Sequence, residues 1–81
     1  MNIGMLWFDN DTKSELSSKI QRAATYYQQK YGKTPNVCFV HPSMIPANTQ
    51  PKLSLELRTT RSVLPNHFWL GISANGEQSV N

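Results

Sequence analysis

Asp9 and Asp11 stand directly after an apolar segment, Glu56 and Arg58 sit two apart in an alternating one, and His41 and His67 each lie close to a proline. Carboxylates at the carboxyl end of a strand can hold a divalent cation or take a proton, and with Glu56 and Arg58 they would form a metal-dependent nuclease constellation. Such a site needs two carboxylates and a lysine converging from neighbouring strands, whereas Lys52 precedes the strand that carries Glu56. Capping and dipole compensation of the following helix explain Asp9 and Asp11 without catalysis. A zinc site would have to assemble from Cys38, His41, His67 and an aspartate, because no CxxC or HxxxH spacing occurs. Cys38 and His41 also fall on opposite faces of an extended strand. Ser43 follows His41 by two residues without a Gly-x-Ser-x-Gly elbow, and the glycines are too scattered for a phosphate loop. Cys38, inside Val37-Cys38-Phe39-Val40, reads as a buried thiol of raised pKa. The expectation is therefore no catalytic residue, no metal and no cofactor.

A second chemistry is recognition of a polyanion. Lys19, Arg22 and Lys30, with Tyr26 between them, line one edge of a helix, and Lys33, Arg58 and Arg61 extend the basic set. Tyr26 or Trp69 would supply a ring for base stacking. The net charge of +3, from eight basic and five acidic residues, is a mild excess. Glu15 can also pair with Lys19 at i, i+4, which uses part of the set locally.

The elements that must carry these residues are clearly marked. Asn2 to Phe8 is apolar on both faces, Ile3, Met5 and Trp7 against Gly4, Leu6 and Phe8, and predicts a central strand. Thr12 and Glu15 have capping-box spacing, so the helix is expected over Thr12 to Tyr31 with Leu16, Ile20, Ala23, Ala24, Tyr27 and Tyr31 on one face. Its outer face, Ser14, Ser18, Gln21, Thr25 and Gln28, is polar but uncharged. Gly32 and Pro35 supply the stop. Val37 to His41 forms the next strand, and the three prolines of Pro42 to Pro51 mark a loop. Leu53 to Thr60 alternates Leu53, Leu55, Leu57 and Thr59 against Ser54, Glu56, Arg58 and Thr60, a strand with one wet face. A turn over Arg61 to Asn66 leads to a last strand, His67 to Ile72, antiparallel to its predecessor. The fold class is α+β: a βαβ unit followed by a β-hairpin, giving a four-stranded mixed sheet with one long helix on one face.

A chain of 81 residues forms one domain, here 1–73, with 74–81 expected as a frayed tail. A single core of this size buries only about 60% of the surface exposed by the unfolded chain. One helix cannot hide Trp7, Trp69, Phe68, Phe39 and the leucines together, so self-association through the sheet or its edge is expected. No run approaches the ~20 apolar residues of a membrane span, and the first residues lack the pattern of a signal peptide, which makes the cytoplasm the expected location.

Three blocks, Tyr31-Gly32-Lys33-Thr34-Pro35, Val40-His41-Pro42 and Pro65-Asn66-His67-Phe68-Trp69-Leu70-Gly71, together resemble signature blocks of small uncharacterised prokaryotic proteins. The resemblance spans nearly all the chain and implies no activity, cofactor or catalytic residue. The reading is a binding or interaction module that forms a homodimer. Nucleic-acid binding by the helix edge is the alternative, and a metal-dependent nuclease-like enzyme is a third reading.

Overall fold

A computed structural model describes residues 4–45 and 53–73. In chain order it contains β1 (Gly4–Phe8), α1 (Leu16–Tyr31), β2 (Val37–Val40), a 3₁₀ turn at Pro42–Met44, β3 (Glu56–Thr59) and β4 (His67–Gly71). The fold is α+β, with one helix and a four-stranded mixed sheet. Lys52, most of the proline loop and the tail expected at 74–81 lie outside the described residues.

The strand order is β1-β4-β2-β3. β4 is antiparallel to both β1 and β2, and β2 is parallel to β3. This corrects the expected hairpin, since β4 leaves its predecessor and inserts between the two strands of the βαβ unit. It also corrects the central position expected for the first strand, which lies at an edge. The physical reason is in β4 itself. Phe68 and Leu70 are completely buried on its helix side, while Trp69 is half-buried on the other, so this strand gains most from neighbours on both flanks. Glu56 and Arg58 suit β3 to the opposite edge.

The core lies between α1 and one sheet face. Ile20, Ala23 and Tyr27 of the helix meet Met5, Cys38, Val40, Phe68 and Leu70 of the sheet, with Leu16, Ala24 and Tyr31 packed at the margin. Full burial of a residue such as Ile20 or Phe68 contributes about 1.5–3 kcal/mol.

The helix starts later than the capping-box spacing predicts. Glu15, not Thr12, is the N-cap residue, and it makes no side-chain cap bond. The Asp9 carboxylate accepts the Asp11 amide at 3.0 Å, and the Asp11 carboxylate accepts the Lys13 amide at 2.9 Å and the Ser14 hydroxyl at 2.7 Å. These side chains offer the backbone two successive turns in place of a first helical turn. The far end follows the sequence: Gly32 adopts φ 75° and donates its amide to the Gln28 carbonyl at 2.8 Å.

Because a Cβ at Gly32 would meet nothing within 4 Å, only its left-handed backbone opposes a substitution. Gly32→Ala should lower stability by about 1 kcal/mol, read as a lower urea midpoint at unchanged m-value.

Candidate functional site

Side chains alternate across a strand, so each strand sends a second set away from the helix. These are Leu6 and Phe8 from β1, Val37 and Phe39 from β2, Glu56 and Arg58 from β3, and His67 and Trp69 from β4. No helix covers this face among the described residues. Leu6 is 60% exposed and Phe8 56%, while Leu64, in the turn that lies against the same face, is 63% exposed. Leu6, Val63, Leu64, His67 and Trp69, with Ser62, line an apolar depression of about 410 Å³.

The rings on this face form two pairs. Phe8 and His67 lie 4.9 Å apart between centroids, and Phe39 meets Trp69 edge-on at 5.7 Å. The Trp69 indole lies over Gly4, where an added Cβ would overlap the ring. Glycine is required there for space. Arg58 is the arginine of this face, and its Nε donates to Glu56 Oε2 at 2.7 Å.

The turn that brings Leu64 into place has a defined cause. His67 donates its amide to the Leu64 carbonyl at 3.1 Å across Pro65-Asn66, with Asn66 at φ 67°. Proline followed by a positive-φ residue is the type II pattern, which asparagine tolerates. The Asn66 amide in turn donates to Met44 Sδ at 3.4 Å.

The sequence-predicted basic set is divided between two sides of the sheet. Lys19, Arg22, Tyr26 and Lys30 do share one helical stripe. Lys19 is buried, however, and Arg22 is bound to Asp9 at 2.9 Å with Asp11 at 3.8 Å. Lys30 Nζ sits 5.3 Å from the Tyr31 ring centre, and exposed Tyr26 packs on Trp7 at 5.1 Å. Lys33 is exposed after the helix stop, Arg61 is exposed in the turn after β3, and Arg58 projects from the opposite face. Beside the helix stripe, Trp7, Arg22, Thr25, Tyr26 and Gln29 line a second depression of about 370 Å³ with Gln21. The Trp7 indole nitrogen is buried there without a hydrogen-bond partner.

The residues considered for catalysis have structural partners. Asp9 follows β1 and Glu56 begins β3, so they occupy opposite edges and opposite ends of the sheet. Among the described residues no three His, Cys, Asp or Glu side chains gather as a metal site. His41 caps the 3₁₀ turn: its Nδ1 accepts the Ser43 amide at 3.1 Å and lies 2.8 Å from the Ser43 hydroxyl. His67 Nδ1 lies 2.9 Å from the Pro65 carbonyl oxygen. Cys38 is buried, and desolvation pushes its thiol up to about 12.

Leu64 carries no signal in the sequence, and Leu6 and Phe8 read there as one side of a covered strand. Their signal was the apolar set on both faces of the first strand. No protein-family model, curated protein or solved structure matches the chain. Among the described residues no helix is long and apolar enough to cross a membrane.

The hydrogen bond from Arg22, followed by that from the Asp11 amide, holds the Asp9 carboxyl below its ordinary value. Its contribution to stability is thus complete above the unfolded carboxylate value of about 3.9 and is lost as pH falls through the lower folded value. Asp9→Asn should be less stable at neutral pH and should show a shallower loss below pH ~4, measured by thermal melts across pH.

Proposed function

We propose that this protein is a small binding module that acts as a homodimer and not as a catalyst. The carrying observation is the open sheet face, where Leu6, Phe8 and Leu64 are each more than half exposed beside Trp69 and Phe39. In a domain this small, a second chain is the means of removing such a surface from water. The mild charge of the face also suits a protein contact, since Arg58 is already bound to Glu56. The cytoplasm is the proposed location, in keeping with a lone cysteine held as a buried free thiol. Sedimentation equilibrium at micromolar concentration should give twice the 9.2 kDa chain mass. Phe8→Glu, on the open face and outside the core, should shift that equilibrium towards monomer at least tenfold. A wild-type monomer under these conditions would reject the reading.

A nucleic-acid reading is favoured by a different feature, the ring pairs Phe8–His67 and Phe39–Trp69 on an uncovered sheet. Such rings are stacking platforms for unpaired bases. This moves the proposed contact from the helix edge, where Lys19 is buried, to the rings of the open sheet face. The expected result in fluorescence anisotropy is binding of single-stranded oligonucleotides with a log-log salt slope of about −0.7 per phosphate contacted. Trp69→Ala should cost about 1–3 kcal/mol if one base stacks on it, and no binding at low salt would remove this reading.

A further inference from the structure

The two edges of the sheet differ sharply. β3 spans Glu56–Thr59 and carries a Glu56–Arg58 ion pair, a charged edge of the kind that resists pairing with another chain. β1 is Gly-Met-Leu-Trp-Phe, with no charge and no proline, and among the described residues nothing pairs with its outer side. An uncharged apolar edge of this kind is a template for another strand.

The hydrogen-bond phase of that edge can be worked out. The Asp9 amide donates to the Asn66 carbonyl at 3.0 Å, and the register continues through Phe8–His67, Trp7–Phe68, Leu6–Trp69, Met5–Leu70 and Gly4–Gly71. Bonded and non-bonded pairs alternate in an antiparallel ladder. Trp7 and Met5 therefore turn their backbone groups towards β4, and Phe8, Leu6 and Gly4 turn theirs outward.

We propose that two copies of the chain join edge to edge through antiparallel pairing of β1, with Leu6 on the two-fold axis. This rests on the homodimer reading and specifies its geometry: Leu6 and Phe8, both on β1, are the part of the open face that the partner covers. In this register Leu6 faces the partner's Leu6, Gly4 faces the partner's Phe8, and Phe8 faces the partner's Gly4. Every outward backbone group of β1 is then used. A shift of two residues towards the carboxyl end leaves Gly4 opposite the partner's Asn10, beyond the end of β1. The side chains agree with the same register: Phe8 comes opposite the one β1 residue without a side chain, where Trp69 already lies across the backbone. The partner's Phe8 ring thus abuts Trp69, and the two Leu6 side chains meet on the same face. The two sheets become one continuous sheet whose aromatic face spans both copies.

The test uses the full chain and two substitutions at Leu6, whose amide faces away from the domain. Leu6→Pro removes that outward donor and leaves the β1–β4 ladder intact, as proline is tolerated on an open edge. It should weaken the dimer at least tenfold in sedimentation while far-UV circular dichroism and amide protection in β4 stay as in the parent. Leu6→Cys places two thiols across the axis at a Cα separation of about 5.5 Å, within disulfide range. Mild oxidation should link it into a covalent dimer. Phe8→Cys, about 14 Å from its symmetry mate in this register at ~3.4 Å per residue, should not link. Cys38, buried and protonated, adds no background. A parent dimer that survives Leu6→Pro and fails to link through Leu6→Cys would overturn edge pairing and keep the homodimer, whereas a monomeric parent would overturn both.

Discussion

A single helix can cover one face of a four-stranded sheet and no more, and the seam it makes with β4 sets the rest of the structure. Ile20, Ala23 and Tyr27 descend onto the layer that contains Phe68 and Leu70, so β4 lies in the interior of the sheet and β1 at the rim. The face turned from the helix then carries Leu6, Phe8, Phe39 and Trp69, for which this seam has no room. Burial on one side and apolar exposure on the other are two results of the same shortage of covering material.

Within that frame the polar residues hold the chain in place. Asp9 and Asp11 shape the passage into the helix and take up Arg22, while His41 closes the 3₁₀ turn. Asn36 acts as an extension of the sheet: its side chain donates to the Ser73 carbonyl at 3.0 Å and accepts the Ser73 amide at 2.9 Å. Asp9, Asp11, His41, Glu56 and His67 are thus engaged with nearby backbone or with other side chains. What the domain presents outward is surface, and its distinctive surface is apolar and aromatic.

The helix stripe, the Gly32 stop and the alternation of Leu53 to Thr60, of which only Glu56–Thr59 is strand, were legible in the sequence because each depends on neighbours a few residues apart. The strand order was not, since it is decided by which distant segments gain most from pairing. β1 misled for a particular reason: residues apolar on both faces describe a buried central strand and an edge strand with one bare face equally well. The helix start misled through competition, Thr12 and Glu15 having the right spacing while Asp9 and Asp11 captured the amides first. Of the open face, Phe39 and Trp69 could be assigned to strands but not placed beside each other. Lys19, Arg22 and Lys30 share a helix stripe, yet Lys19 is buried and Arg22 is bound to Asp9.

The pairing of β1 with β4 alone also has a temporal side. Trp7 lies opposite Phe68, so among the described residues β1 finds its one sheet neighbour far along the chain. During synthesis, at about 5–20 residues per second, an apolar pentapeptide must wait several seconds beside the ribosome before its mate emerges. Such a distant closure also slows folding of the completed chain, because the loop entropy is lost before the contact forms.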